Sequence, residues 1–237
     1  MRQPIGLARP KKAPKRNGSD RKPKAARWLE LLDAAAEIFY EKGYDATSLQ
    51  DIADSVGILK GSIYYYIETK QDLLDQLLRE VHAAGMLNFE KFDALEANPL
   101  EILRQMVEQH VLYICDNLAR TTVYLNELGK LSPEDRKAIV GEHEFRNKFM
   151  DVIVQAQDGG LILADLNPKL AAQVLLSSIN SVYGWYHPDR GQSAQAVAAH
   201  VGLTNLRGLA TEAGLKMLSS REASGGNNKA NKSRATA

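Results

Sequence analysis

Residues 47–70 have the sequence TSLQDIADSVGILKGSIYYYIETK, which is typical of two short helices joined by a tight turn. Thr47, with Gln50 three residues later, fits the capping box of a helix start. Apolar residues then recur at helical spacing, at positions 49, 52, 53 and 56. Gly57 suits a sharp turn, because glycine adopts positive φ at little steric cost. A helix, a glycine turn and a second helix form the arrangement that places the second helix in the DNA major groove.

The second helix of this pair carries groups suited to DNA contact. Near its start, Lys60 supplies a cation, Gly61 leaves the backbone open to close approach, and Ser62 supplies a hydroxyl. The three tyrosines at 64–66 cannot all be buried, because consecutive helical residues lie about 100° apart. We expect at least one of them to point outward, and Tyr64 to be the most buried. The alternative is that the tyrosines only fill a small three-helix core.

The segment from about Arg27 to Leu74 resembles the DNA-binding domain of the TetR family of bacterial transcriptional regulators. The likeness rests on LLDAAAEIF at 31–39, KGY at 42–44, TSLQDIA at 47–53, VG at 56–57, KGSIY at 60–64 and TK at 69–70. Leu59 departs from the family pattern, which has a serine or another capping residue there. We therefore expect this helix to begin without a side-chain cap.

This resemblance implies an all-α fold of about nine helices: an N-terminal three-helix helix-turn-helix DNA-binding domain (25–70) and a C-terminal helical ligand-binding and dimerisation bundle (71–218). It implies a cytoplasmic repressor that binds a palindromic operator in double-stranded DNA as a homodimer, through helices at 170–186 and 193–210, and that answers to a small-molecule effector. The residues expected to hold phosphates are Thr47, Ser48, Tyr64 and Lys70. Those expected near base edges are Lys60, Ser62 and Tyr65, and Gly61 is expected at the DNA interface because it has no side chain to hold the backbone away.

Both ends of the chain differ in composition from its body. Residues 1–24 hold nine Lys or Arg and one acidic residue, and residues 219–237 have a net charge of +3, so the near-neutral total leaves −10 on residues 25–218. Four prolines and the absence of apolar periodicity predict a disordered basic arm at 1–24, and 219–237 is predicted to be a disordered tail. The arm either contacts phosphates or the minor groove beside the helix-turn-helix, or it is a solvated tail with general affinity for polyanions.

Helix starts recur along the rest of the chain. Thr69 caps a long helix from Lys70 towards position 92, and Asn98-Pro99, Ser132-Pro133 and Asn167-Pro168 each place a capping residue before a proline at the first helical position. These signals predict helices at about 99–114, 121–128, 133–157, 168–186 and 193–212. No hairpin signal or sustained alternation of apolar residues indicates a sheet.

Polar and aromatic side chains interrupt the apolar faces of the second half of the chain. An apolar pocket with a few polar anchors is the usual form of a small-molecule site. The candidate ligand contacts are His110, Tyr113, Tyr124, Arg146, Phe149, Asn180 and Trp185. Ordinary alternatives remain: His110 could be a hydrogen-bonded core histidine, Phe149 could simply pack in the core, and Arg146 could lie on a solvated helix face.

A second resemblance bears on the effector. The segments RNKF at 146–149, GLI at 160–162, DLNP at 165–168 and WYHP at 185–188 are similar to a TetR subgroup that controls fatty-acid, sterol or aromatic-acid breakdown and is released from DNA by acyl-coenzyme A thioesters. It implies that Arg146 approaches the thioester and that Trp185 packs on the acyl part. Because residues 25–218 have a net negative charge, local basic residues would have to compensate the negative charges of such a ligand. The alternative is a regulator of efflux or stress genes that answers to a hydrophobic molecule.

Several other functions find no support in the sequence. No apolar run approaches the 20 residues of a membrane span, and no cluster has metal-ligand spacing, so we expect no membrane partner, metal or resident cofactor. The single cysteine, Cys115, forms no internal disulfide; we interpret it as core packing, with a redox sensor as the alternative. An enzyme or a purely structural helical protein remains a rival class, although no nucleophile–base spacing suggests catalysis and a helix-turn-helix would be unexplained.

Overall fold

The computed structural model describes residues 23–93, 95–141 and 143–219. Nearly all of the predicted basic arm and C-terminal tail lies outside these residues; of the arm, only Pro23 and Lys24 are described, and Lys24 is already helical. Within the described ranges, no helix is long and apolar enough to cross a membrane, and no group of His, Cys, Asp and Glu has the arrangement of a metal site.

The described chain is all-α, as predicted. Its helices are α1 Lys24–Lys42, α2 Leu49–Ser55, α3 Lys60–Ile63, α4 Lys70–Asp93, α5 Pro99–Asp116, α6 Leu118–Leu128, α7 Pro133–Val140, α8 Glu144–Asp158, α9 Pro168–Asn180, α10 Ala194–Leu209 and α11 at 212–219. Two 3₁₀ turns, Ser181–Gly184 and Pro188–Arg190, connect α9 to α10. The only extended pairing among the described residues is one isolated bridge between Ile162 and Ala210.

The start of α2 differs from the prediction by one residue. Ser48, not Thr47, is the N-cap: its hydroxyl accepts from the backbone N–H of Asp51, and the Asp51 carboxylate accepts from the Ser48 N–H at 2.8 Å. The Asp51 carboxylate, rather than the Gln50 amide, therefore completes the capping box. The hydroxyl of Thr47 instead donates to the carbonyl of Gly43 at 2.8 Å, and the side chain is buried.

The predicted helix starts at 69–70, 98–99, 132–133 and 167–168 are confirmed by side-chain caps. The predicted single helix at 133–157 is wrong, because Gly141 (φ 70°) and His143 (φ 63°) adopt left-handed backbone and divide it into α7 and α8. The helix predicted at 168–186 ends at Asn180 and passes into 3₁₀ geometry. The helix predicted to reach 212 ends at Leu209, and α11 follows it.

Two apolar cores form around α4. The first core joins α1–α3 to the first half of α4, up to Val81, and also includes Val123 and Tyr124 of α6 and Val140 of α7. The second core lies in the bundle, where α5 packs against α4, α8, α9 and α10. Because α4 contributes to both cores, it links the helix-turn-helix to the bundle without a flexible linker.

Cys115 belongs to the second core and is buried. Burial raises the pKa of its thiol to about 11. The thiolate, which is the reactive form, is therefore scarce at neutral pH. The structure supports the interpretation of Cys115 as packing.

Candidate DNA interface and effector cavity

The end of the helix-turn-helix presents a continuous exposed surface. The α3 helix is a single turn, and only its Ile63 side chain is fully buried. The exposed residues on and beside α3 are Leu59, Lys60, Gly61, Ser62, Tyr64 and Tyr65. Every residue predicted to approach base edges therefore lies on one accessible surface.

The three tyrosines are arranged differently from the prediction. Tyr64 is 52% exposed and Tyr65 is 68% exposed, so Tyr64 is not the buried member. Tyr66 is half-buried instead, with its ring stacked on Trp28 of α1 at a centroid distance of 6.0 Å. The predicted helix through Tyr66 ends at Ile63, and residues 64–66 form a turn, which sets Tyr64 and Tyr65 outward.

Two of the predicted phosphate contacts are used within the protein. Thr47 is buried and bonded to Gly43, so it offers no exposed hydroxyl. The ammonium of Lys70 donates to the carbonyl oxygens of Tyr44 at 2.7 Å and Thr47 at 2.8 Å. Lys70 therefore holds the loop before α2 against the start of α4. Ser48 remains at the surface as the cap of α2.

The first turn of α1 lies next to the turn at 64–66 that follows α3. The ammonium of Lys24 is 4.5 Å from the centre of the Tyr65 ring, a cation–π distance. Residues 1–22, with their excess of Lys and Arg, join the described chain one residue before α1. The described chain therefore begins close to Tyr65, and the basic residues precede it in the sequence.

A cavity of about 560 Å³ lies in the bundle between α4, α5, α6, α7, α8 and α9. Its apolar wall includes Val81, Ile114, Leu125, Val140, Phe145 and Leu176. Gly85 of α4 makes room for this wall, since a Cβ there would stand 2.7 Å from the Phe145 ring. The volume is within the range of small-molecule sites.

Five of the seven predicted ligand contacts line this cavity: His110, Tyr113, Tyr124, Arg146 and Asn180. Phe149 and Trp185 do not. The Phe149 side chain is fully buried in the second core, and Trp185 is 51% exposed at the end of the first 3₁₀ turn.

His110 and Asn180 form a buried polar pair on the cavity wall. Nε2 of His110 lies 3.1 Å from Oδ1 of Asn180, and the imidazole stacks on the Phe89 ring at 5.5 Å. Burial lowers the pKa of His110 to about 4, although the bond to Asn180 opposes the shift. The imidazole is therefore neutral at pH 7, and with a proton on Nε2 it donates to the amide oxygen.

A second polar group was missed by the sequence analysis. His82 of α4 is buried between Tyr124 of α6 and Glu144 of α8, with Nδ1 3.0 Å from the tyrosine oxygen and Nε2 3.0 Å from the carboxylate. Burial raises the pKa of Tyr124, so its hydroxyl stays protonated and can donate to Nδ1. The signal in the sequence was a histidine within the apolar stripe of α4, between Val81 and Gly85.

Cationic side chains gather on α7 and α8 at the cavity. Arg136, Lys137 and Arg146 line it, whereas Glu144 is the only carboxylate among its described lining residues and is hydrogen-bonded to His82. Nε of Arg146 is buried and has no hydrogen-bond partner among the described residues. The cavity is therefore locally basic within an acidic body.

The chain is similar to known proteins along most of its length. Residues 31–77 match the family model described as "Bacterial regulatory proteins, tetR family", and residues 96–209 match "Tetracyclin repressor-like, C-terminal domain". The chain is 31% identical to the HTH-type transcriptional repressor KstR2 of Rhodococcus jostii (strain RHA1), over 79% of this chain and 93% of that protein. It is 24% identical to the fatty acid metabolism regulator protein of Bacillus subtilis (strain 168), over 76% of this chain and 94% of that protein.

Among solved structures, the chain is similar to the ketosteroid transcriptional regulator KstR2 of Mycobacterium tuberculosis. The identity is 30% and the TM-score is 0.73, over 78% of this chain and 96% of that one. The similarity therefore covers both the helix-turn-helix and the bundle that contains the cavity.

Proposed function

Since this chain belongs to the TetR family of bacterial transcriptional regulators, we propose that it is a homodimeric repressor of catabolic genes that an acyl-coenzyme A thioester releases from its operator. The proposal places it in the cytoplasm, where operator and thioester meet. Two of the proteins to which it is similar, a ketosteroid transcriptional regulator and a fatty acid metabolism regulator protein, support this class of pathway.

In this proposal, operator DNA binds to the exposed α3 surface. Lys60, Ser62 and Tyr65 approach base edges in the major groove, while Ser48 and Tyr64 contact phosphates. Lys70 acts indirectly by fixing the loop that carries α2, because its ammonium is bonded to that loop's carbonyls. The basic segment attached before α1 adds salt-dependent phosphate contacts.

The locally basic cavity is the main observation in favour of an acyl-coenzyme A thioester as the effector. An acidic body disfavours a polyanion, yet the described residues that line the cavity include three cations and one carboxylate, and that carboxylate is already bonded to His82. An acyl-coenzyme A thioester combines an apolar acyl group with a phosphate-rich nucleotide. Its acyl group would fill the apolar part of the cavity, and its phosphates would meet the cations of α7 and α8.

The buried pair His110–Asn180 is suited to the polar atom of such a ligand. The Asn180 side chain accepts from His110 through Oδ1, which leaves its amide N–H groups to donate. A thioester carbonyl oxygen is an acceptor of matching chemistry. The pair would then fix the depth to which the acyl group enters.

Helix α4 provides the connection from the cavity to the DNA surface. His82 at the cavity and Lys70 at the helix-turn-helix stand twelve residues apart on this helix, or about 18 Å. Arg79 of α4 also donates to the carbonyl of Ala138 in α7 at 2.7 Å, so movement of α7 reaches α4 directly. A ligand that displaces α7 or α8 would therefore shift α4 and change the spacing of the two α3 helices in a dimer.

A second copy of the chain is proposed to pack on the exposed face of α9. Leu170 and Val174, one turn apart on this helix, are 65% and 66% exposed, and Trp185 lies at the end of the 3₁₀ turn that follows. Among the small residues of α9 and α10, Ala172 and Ala198 are buried within the protomer, whereas Ser177, Ala196 and Ala199 are exposed. Two-fold symmetry would match a palindromic operator.

One experiment tests both halves. Duplex from the intergenic region upstream of the gene is titrated with the protein, against random duplex, and then with a panel of acyl-coenzyme A thioesters and the matching free acids. We expect specific binding that one thioester, but not its acid, reverses. Release by hydrophobic dyes and by no thioester would favour the alternative of an efflux or stress regulator, and failure to bind DNA at low salt would overturn the proposal.

A further inference from the structure

Leu59 has the largest exposed fraction, 80%, of the large apolar side chains in the described chain. It is the N-cap residue of α3, and it provides no side-chain hydrogen bond to the first turn. Serine, threonine, aspartate or asparagine at an N-cap typically stabilises a helix by about 1 kcal/mol over an apolar residue. The leucine therefore occupies a position where a polar residue would make the fold more stable.

Packing does not account for this leucine. Its neighbour Ile58 packs against the core of the helix-turn-helix, and Ile63 is fully buried there, but Leu59 contributes to neither core. A lone exposed leucine elsewhere on the surface would need no explanation. Leu59, however, stands at the start of the helix proposed to enter the major groove. Its apolar side chain can therefore be matched to an apolar group on the base edges of that groove.

Leu59 stands at a position from which side chains of helix-turn-helix proteins reach base edges. In helix-turn-helix proteins the N-terminal residues of the second helix contact base edges, and Leu59 directly precedes the exposed residues Lys60, Gly61 and Ser62. On base edges in the major groove, the apolar group is the 5-methyl of thymine. We infer that Leu59 packs on a thymine methyl in each half of the operator and thereby determines part of the sequence preference. This inference rests on the proposed DNA-binding function.

The expected effect of one such contact is measurable. Burying one methyl group against an apolar side chain changes a dissociation constant by about fourfold. A symmetric operator has two half-sites, so the loss of both methyl contacts should weaken binding by roughly tenfold or more.

The test starts from duplexes that the wild-type protein selects from a random-sequence pool. In the selected operator, each symmetry-related pair of thymines is replaced in turn by deoxyuridine, which removes only the methyl groups. Dissociation constants are measured for the wild type, Leu59→Ala and the control Leu87→Ala, which truncates an α4 leucine that is 64% exposed. Unfolding curves are recorded for all three proteins.

We expect one thymine pair at which deoxyuridine weakens the wild type and Leu87→Ala by about tenfold but changes Leu59→Ala by less than twofold. Leu59→Ser should lose the same discrimination and also unfold at a higher temperature, because it restores a cap. If an operator is selected but Leu59→Ala discriminates at every thymine as the wild type does, the inference fails and the proposed function stands. If no duplex is selected, both fail.

Discussion

The ammonium group of Lys70 lies 2.7 Å from the carbonyl oxygen of Tyr44 and 4.3 Å from the centre of the same residue's ring. The same group reaches the carbonyl of Thr47 at 2.8 Å. The first residue of α4 therefore holds the chain between α1 and α2. Any displacement of α4 by a ligand would act directly on the loop that orients the DNA-binding helices.

Replacing Lys70 by methionine should weaken specific and random DNA binding to the same extent. It should also lower the free energy of unfolding by about 1–3 kcal/mol, because the loop carbonyls lose a charged donor. Urea unfolding and DNA titration measure the two effects. The comparison variant is Lys60→Met, for which we expect unchanged unfolding and a greater loss of affinity for the operator than for random duplex, because Lys60 is proposed to contact base edges. A Lys70→Met protein with wild-type stability would contradict this role.

Arg146→Met should weaken release by the active thioester by roughly tenfold, because a charged partner for the ligand is lost. Operator affinity without ligand should remain within twofold of the wild type. Lys148→Met is the control on the same helix, since that ammonium is exposed and bonded to Asp93. An equal effect of both variants would indicate a general loss of positive charge rather than a site at Arg146.

Val174→Glu should convert the protein to monomers, because it places a carboxylate on the exposed apolar face of α9. Operator binding should weaken strongly while the helical content stays unchanged. Sedimentation and circular dichroism measure these outcomes, with Leu87→Glu on α4 as the matched control. A dimeric Val174→Glu protein would place the interface elsewhere.

Acidification should destabilise the protein through His110. Its folded pKa of about 4 lies below the ordinary value of 6.5, so the unfolded chain takes up the proton first as the pH falls. The stabilisation is complete above pH 6.5 and is lost as the pH falls towards 4. Between pH 6.5 and pH 5, the loss should amount to about 2 kcal/mol.

The measurement for His110 compares urea unfolding of the wild type with His110→Gln across this pH range. The variant should lack this part of the pH dependence, whereas His200→Gln, at an exposed position on α10, should keep it. If His110→Gln lost stability on acidification as steeply as the wild type, the neutral buried imidazole would be refuted.

Local signals predicted the fold well where they were unambiguous. The caps before prolines at 99, 133 and 168 marked helix starts, because a capping side chain and a proline act within one turn. The division of α7 from α8 was missed: Gly141 is a residue type that commonly ends helices, but the left-handed histidine at 143 has no sequence signal of its own. Thr47 and Ser48 are both good caps by type. The bond from the Asp51 N–H to the Ser48 hydroxyl assigns the cap to Ser48, while the Thr47 hydroxyl is bonded to Gly43.

The cavity was predictable in part. A polar residue on an apolar helical face led to His110, Tyr113, Tyr124 and Asn180, and three helices, α5, α6 and α9, bring these together. The same rule also selected Phe149, which does not line the cavity. Its i, i+4 spacing with Phe145 is equally the pattern of residues that pack in a core. The rule missed Glu144, because its bond to His82 joins residues 62 positions apart and depends on how α8 packs on α4.

Reciprocal linkage between operator and thioester is the sharpest test of whether the thioester releases the protein from DNA. The affinity of the operator is measured with and without the active thioester, and the affinity of the thioester is measured for the free and the operator-bound protein. We expect each ligand to weaken the binding of the other by the same factor, because the thioester prefers the state that does not bind DNA. Equal thioester affinity for free and operator-bound protein would contradict this expectation.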